Sequence, residues 1–225
     1  MKTVVITGTN KGIGLATARL FLEQGWRVFG TYRQSLPPIA SAEFIPIKLD
    51  LTDRRSIADA VDEIRKTTEQ IDALVNNSGI LNDALDETPD LSKIRQTFEV
   101  NVFGAIDLTE RLLIFFPEGG TIVNISSVYG SFAFPIDDGV SLGYRMSKAA
   151  LNMYTRSLAY RLKDKNIVVS SLHPGWVDTE MGRSVSTEDS HPNREPSDAA
   201  EDVYHLITTN KETGFFWHFG KKREW

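Results

Sequence analysis

In "SLGYRMSKAALNMYTRSL", residues 141–158, a tyrosine and a lysine stand four positions apart, Tyr144 and Lys148. On a helix, positions i and i+4 share a face, so a phenol and an ammonium can act on one bound group. A phenol with a pKa of about 10 is a slow acid or base at neutral pH. A neighbouring ammonium favours the phenolate and lowers that pKa, which would suit the pair to deliver a proton to a carbonyl that is accepting hydride. Such a carbonyl also needs a hydroxyl donor to polarise its oxygen. "IVNISSVYGS" at 122–131 offers two, Ser126 and Ser127, and residue chemistry alone does not separate them. Taken alone, Tyr144 and Lys148 are better read as an ordinary pair on a surface helix.

A second group of residues lies near the N-terminus. "TGTNKGIG" at 7–14 leaves an apolar run and enters a periodic one, with glycines at 8, 12 and 14. Glycines there permit a tight turn and close approach of a ligand, and a helix N-terminus presents free N–H groups to an anion such as a pyrophosphate. The spacing G-x-x-x-G-x-G differs from G-x-G-x-x-G, and it is not a P-loop, since Lys11 precedes Gly12 and no G-K-[ST] follows. A nucleotide site has a further reading point at the end of the second strand, where an acid usually bonds the ribose of NAD. Here the chain reads "GTYRQ": Tyr32 takes the acid's place and Arg33 follows. A guanidinium suits a 2′-phosphate. With Lys11 in the glycine loop, the pattern favours NADP(H) over NAD(H).

These residues need elements to hold them. Short β-branched runs at 3–7, 27–32, 43–49, 71–77, 120–126, 167–173 and 214–219 read as strands. Periodic stretches at 12–25, 54–70, 91–115, 144–163 and 197–208 read as helices, the second capped by Thr52 or Asp53 and the last by Ser197. The alternation predicts one α/β domain over residues 1–225, a doubly wound Rossmann-like parallel sheet of about seven strands with helices on both faces. Its ligand belongs beyond the carboxyl ends of the strands. The polar stretch 184–197 breaks the rhythm, and a mobile lid over about 178–197 is expected. Asn101 sits inside the 91–115 helix, where asparagine is a poor residue, so it has a hydrogen-bonding task or marks a kink.

Composition narrows the remaining classes. The chain has 225 residues, a formal net charge of −5 and no cysteine, so disulfides and thiolate chemistry are excluded. The acidic balance, with a pI near 5.4, argues against nucleic acid as the main partner. "KKRE" at 221–224 reads as a solvated tail. The histidines at 173, 191, 205 and 218 lack ligand spacing, so no metal is expected, and His173 reads as a partly buried strand-end residue. "LLIFF" at 112–116 is too short to span a bilayer, and "MKTVVITGTNKGIG" does not read as a signal peptide. A cytoplasmic protein is expected.

The glycine loop, "LDLTD", "VNNSGI", "FEVNVFGA", "IVNISSVYGS", "YRMSK" and "HPGWVDTEMG" occur in the order of the short-chain dehydrogenase/reductase family, and the chain resembles that family along nearly its whole length. "YRMSKAALNM", "HPGWVDTEMG" and the ending on Trp225 resemble its C-factor/sniffer-type carbonyl reductase branch. The resemblance makes the second serine, Ser127, catalytic together with Tyr144 and Lys148, and gives Asn101 a water that links the lysine to solvent. It assigns Gly8, Thr9, Asn10, Lys11, Gly12, Ile13, Gly14, Tyr32, Arg33, Asp50, Leu51, Asn77, Ser78 and Gly79 to the cofactor, with Tyr144 and Lys148 at its ribose. Asp50 would meet the adenine, since Thr52 or Asp53 can cap the helix that follows. Asn76 would line the same cleft, and Ser78 stands where alanine is usual. Pro174, Gly175, Val177 and Thr179 would cover the nicotinamide. The implied activity is NADPH-dependent reduction of a small or medium carbonyl compound, or the reverse on an alcohol; the resemblance allows a homodimer or homotetramer, and monomers also occur in the family. An NADP(H) sensor with little turnover is the alternative, and an epimerase or dehydratase acting on a nucleotide sugar ranks below it. Phe132, Phe134, Trp176 and Met181 either line an apolar substrate pocket or pack in the core. Ser127 and Tyr144 are 17 residues apart, a few more than the family usually has, and the extra residues fall in the loop at 135–143.

Overall fold

The computed structural model describes residues 1–136 and 139–225. The 135–143 loop therefore lies partly outside the described residues. Among the described residues, eight strands form one sheet in the order β3-β2-β1-β4-β5-β6-β7-β8. They are β1 (Thr3–Ile6), β2 (Arg27–Tyr32), β3 (Phe44–Lys48), β4 (Ala73–Asn76), β5 (Thr121–Ile125), β6 (Val168–Leu172), β7 (Phe215–His218) and β8 (Lys221–Arg223). The first seven pair in parallel, and β8 returns antiparallel beside β7.

Side chains alternate across the sheet and build two cores. Val4 and Ile6 of β1 point to one face, where they meet Phe21 of α1 (Gly12–Glu23) and Val203 of α7 (Pro196–Thr208). Val5 points to the other face, against Ile57 and Ile64 of α2 (Arg54–Arg65), Leu108 of α4 (Ala105–Leu112) and Leu158 of α5 (Leu142–Arg161). With helices on both faces, the central strands β1, β4, β5 and β6 are buried throughout. The strand order reverses between β1 and β4. A crevice opens there at the carboxyl ends, where the glycine loop leaves β1.

The structure departs from the sequence reading in four places. "KKRE" is not a free tail, because Lys221–Arg223 pairs with β7 and Lys222 lies 4.0 Å from the Phe215 ring. An edge strand needs only backbone partners, so its exposed charges gave no sign of it. The 91–115 helix is divided into α3 (Leu91–Phe98), a π-helical segment Glu99–Gly104, α4 and a 3-10 turn. Asn101 lies in the π-helical segment, where one wider turn re-aims its side chain. Finally, α7 opens at Pro196 and is capped by a reciprocal Glu195–Asp198 box rather than by Ser197, while α2 stops at Arg65, with Asp53 accepting from the Arg55 N–H at 2.8 Å. Among the described residues, no helix is long and apolar enough to cross a membrane.

Candidate active site

The glycine turn is held from below by the strand beside it. Thr7 Oγ1 accepts from the backbone N–H groups of Asn77 (2.9 Å) and Ser78 (2.8 Å), and Asn77 Nδ2 donates to Thr7 O at 2.8 Å. Gly12 has φ +56°, and a Cβ on Gly14 would stand 2.1 Å from the Gly8 carbonyl oxygen, so any side chain there would push the turn open. Lys11, at the N-cap of α1, contributes no side-chain cap, which leaves the first-turn N–H groups pointing into the crevice. Thr9 departs from its expected place. It is fully buried and bonds the Thr31 carbonyl, through its N–H at 2.9 Å and its hydroxyl at 3.2 Å, so it ties β1 to β2 and does not face the crevice.

At the end of β2, Arg33 is exposed. Its charge reaches Asp50, whose pKa is lowered: burial resists ionisation, but hydrogen bonds from Thr52 and the Arg33 charge outweigh it. Asp50 is not free, because its Oδ1 accepts from the Thr52 N–H (2.9 Å) and hydroxyl (2.8 Å). Asp53 does cap α2, but Asp50 closes the turn just before it. Lys11 pairs with Glu180 across the mouth of the crevice.

Asn76 also departs from expectation. Instead of lining the crevice it is buried, donating to Thr109 Oγ1 and Asn124 Oδ1, each at 2.8 Å. Asn101, 1% exposed, accepts from the Ile80 N–H at 2.8 Å and donates to Ile80 O at 3.0 Å and Ser147 Oγ at 3.1 Å. Ser147 Oγ in turn donates to Tyr144 O at 2.8 Å. Asn101 therefore braces both the segment after β4 and the first turns of α5.

The two serines separate cleanly. Ser126 Oγ donates to Asn152 Oδ1 at 2.6 Å, so its hydroxyl is satisfied by a side chain. Ser127, one residue further on, accepts from the Tyr129 N–H at 3.2 Å, and its side chain acts on the Tyr144 phenol, favouring a lower pKa there. Lys148 Nζ, buried, donates to Ile125 O at 2.8 Å and lies 5.4 Å from the Tyr144 ring centroid.

The electrostatics reverse one expectation. Burial pushes the Tyr144 phenol up to about 12, more than the Ser127 hydrogen bond pulls it down. Burial likewise pushes Lys148 down to about 8. The lysine does not draw the tyrosine down here. Its Nζ is held by the Ile125 carbonyl, and the same apolar surroundings penalise both charged forms. The phenol thus holds its proton at neutral pH. His173 is pushed down to about 3, by burial first and then by the nearby His218, Arg194 and Arg223. It is neutral in the working range and unsuited to acid/base work there.

The segment after β6 closes toward the glycine loop. Thr179 Oγ1 accepts from the Gly182 N–H at 3.0 Å, capping the short helix α6 (Glu180–Arg183), and its methyl comes within 3.1 Å of where a Gly12 Cβ would be. Arg194, which the sequence did not single out, pins this segment. Its guanidinium donates to Pro174 O at 2.6 Å, pairs with Asp202 at 2.7 Å and donates to Asp198 O at 2.8 Å. Nothing local in "PNREPS" marks it, because its partners lie on other elements.

Together these walls enclose a cleft of about 1250 Å³, larger than the roughly 300–1,000 Å³ of a pocket for one drug-sized ligand. Of the expected residues, Gly8, Asn10, Lys11, Gly12, Ile13, Tyr32, Arg33, Asp50, Leu51, Asn77, Ser78, Gly79, Ser127, Tyr144, Lys148, Pro174, Gly175, Val177 and Thr179 line it; Thr9, Gly14 and Asn101 do not. Phe134, Trp176 and Met181 line it as well, but Phe132 is 91% exposed and stands outside. The uncapped helix end, the glycine cradle and an adjacent cation fit a phosphorylated dinucleotide.

Residues 2–190 match the short chain dehydrogenase family. The chain is 35% identical over 195 residues to a 2,3-dihydro-2,3-dihydroxybenzoate dehydrogenase of Escherichia coli, covering 84% of this chain and 74% of that protein. It is 33% identical over 190 residues to a 3-oxoacyl-(acyl-carrier-protein) reductase of Thermotoga maritima, covering 80% and 76%. Among solved structures it is similar to an NADPH-bound carbonyl reductase from chicken fatty liver, with a TM-score of 0.87, 26% identity and coverage of 100% and 99%. It is also similar to a short chain dehydrogenase from Burkholderia cenocepacia in complex with NADP, with a TM-score of 0.83, 27% identity and coverage of 96% and 95%.

Proposed function

The chain belongs to the short chain dehydrogenase family of oxidoreductases, and from that premise we propose that it reduces a small or medium carbonyl compound with NADP(H), or oxidises the corresponding alcohol. The observation that carries this reading is the convergence of Ser127, Tyr144 and Lys148 on the same cleft as the glycine loop. Within the family, the C-factor/sniffer-type carbonyl reductases are the branch we favour, on "YRMSKAALNM" and "HPGWVDTEMG".

The glycine loop and the first turn of α1 would hold the pyrophosphate, Arg33 the 2′-phosphate, and Lys148 the nicotinamide ribose. Bound there, the nicotinamide supplies or accepts the hydride. Ser127 orients the substrate oxygen by donating to it. Tyr144, protonated at neutral pH and held so more firmly by burial, gives its proton to that oxygen as negative charge develops. In reduction its high pKa is no handicap, since an alkoxide is a stronger base than the phenolate left behind. Lys148 faces the developing phenolate with a positive charge, and Asn101 keeps the first turns of α5 in register through Ser147. Phe134, Trp176 and Met181 would give the substrate an apolar wall in the same cleft.

The reading is tested by NADPH consumption against a broad panel of ketones and aldehydes. Turnover of at least one uncharged carbonyl is expected. Tight NADPH binding with no turnover on any member would instead support a sensor.

Cofactor choice gives a second expected result. Lys11 is engaged by Glu180, so Arg33 carries the NADP preference. A hydrogen bond to a charged group contributes roughly 1.5–3 kcal/mol, and solvent screening reduces this at an exposed site. Arg33→Ala should therefore weaken NADPH binding about tenfold and leave NADH binding nearly unchanged, as read by fluorescence titration. Equal losses for both cofactors would remove the argument.

A further inference from the structure

The helix that carries Tyr144 begins in an unusual way. A helix N-terminus leaves its first N–H groups without intrahelical partners, and a serine at the N-cap ordinarily accepts from one of them. Ser141 holds that position in α5 but does not perform that task. Its backbone is left-handed, with φ +60°, and its hydroxyl donates away from the helix, to Ala84 O at 3.0 Å.

The acceptor comes instead from a distant segment. Asp83 Oδ2 accepts from the Gly143 N–H at 2.5 Å, and the Asp83 carbonyl accepts from the Ser141 N–H at 3.1 Å. Asp83 is 3% exposed, and its Oδ1 has no hydrogen-bond partner among the described residues. Burying a carboxylate with one oxygen unpaired is costly. The site offers it a helix N-terminus, where a negative charge is favoured. Gly143 is fitted to the contact: a Cβ there would lie 3.0 Å from Asp83 Oδ2 and 3.0 Å from Ile94 Cγ1. The capped residue immediately precedes Tyr144. The strap that carries Asp83 begins at Ile80, whose N–H and carbonyl are both fixed by Asn101. Asn101 thus reaches the start of α5 by two routes, through Ser147 and through the strap.

We propose that Asp83 is a positioning residue for proton transfer: its carboxylate caps α5 from outside the helix and fixes where the Tyr144 phenol stands relative to Ser127. The proposal rests on Tyr144 being the proton donor. Asp83 touches neither cofactor nor substrate in this account and acts only through the first turn of α5.

The test compares Asp83→Asn, which keeps an acceptor for the Gly143 N–H, with Asp83→Ser and Asp83→Ala, which remove it. A catalytic group displaced by about 1 Å can cost on the order of 100-fold in rate. Asp83→Ser and Asp83→Ala should lower kcat roughly 10- to 100-fold with the NADPH dissociation constant unchanged, and Asp83→Asn should recover most of the loss. If Asp83→Ala does not fold, Asp83→Ser decides. Wild-type kcat in Asp83→Ser overturns the proposal. So does an Asp83→Asn variant as slow as Asp83→Ser, or a parallel loss of melting temperature and NADPH binding that accounts for the lower rate. Tyr144→Phe, assayed alongside, separates the two ideas. If it keeps wild-type turnover, the proton-donor reading fails. If it is inactive while Asp83→Ser is not, only the inference about Asp83 fails.

Discussion

Tyr144→Phe should lower kcat by about 10²- to 10⁴-fold, the range expected when a positioned general acid is removed, and should leave the NADPH dissociation constant unchanged. The substitution deletes one oxygen and keeps the ring. Lys148 remains bonded to the Ile125 carbonyl at 2.8 Å, and the glycine turn remains stapled to Thr7 and Asn77. The half-buried phenol gives up only its polar contact with the neighbouring Ser127 side chain, so little loss of stability is expected. Steady-state kinetics, a cofactor titration and a melting curve on the same preparation separate the outcomes. Turnover near wild type would mean that another group delivers the proton. His173 is a poor substitute, since burial holds it neutral.

Ser127→Ala should lower kcat by about 10²- to 10³-fold, the loss typical of removing one donor to a developing oxyanion. The adjacent serine provides the control. Ser126 Oγ is committed to Asn152 at 2.6 Å, and Asn152 Nδ2 reaches Gly130 O at 3.1 Å, so this hydroxyl braces β5 against α5. Ser126→Ala should cost about 0.5–1.5 kcal/mol of stability, visible as a lower melting temperature, with little change in kcat. Two serines one residue apart would then differ in kind, one affecting rate and the other affecting folding. The reverse pattern would place the polarising donor on Ser126 and contradict the geometry.

Much of the fold is legible in the sequence because periodicity and β-branching report burial directly. The seven parallel strands and the main helices fall where the apolar runs do. β8 is not legible, since Lys221–Arg223 has charged side chains and joins the sheet through backbone alone. The interruption of the 91–115 helix is half visible. Asn101 is out of place in a helix interior, and the structure gives it both a π-helical turn and three hydrogen bonds.

The candidate site divides in the same way. Spacing is enough to put Tyr144 and Lys148 on one face and the glycines in one turn. Ser126 and Ser127 both line the cleft; which hydroxyl is already engaged depends on Asn152, and the direction of the Tyr144 shift depends on how much apolar matter surrounds it. Neither can be read from neighbours in sequence. The misplaced residues share a cause: Thr9 and Asn76 are polar groups at strand ends, and each has found a partner within the protein. Asp83 and Arg194 were missed for the converse reason. Each sits in a loop without periodicity and holds a segment 20 to 60 positions away, Pro174 for Arg194 and Gly143 for Asp83.

The central claim is that hydride passes between a nicotinamide and a carbonyl carbon in the cleft shared by Ser127, Tyr144 and Lys148. The most direct measurement supplies NADPH deuterated at the transferable position, together with a ketone that the protein consumes, and locates the label by mass spectrometry. The account predicts one deuterium on the carbinol carbon of the product, formed by the wild-type protein and suppressed in Tyr144→Phe. NADPH oxidation that leaves the alcohol unlabelled, or label transfer that proceeds equally in Tyr144→Phe, would contradict it.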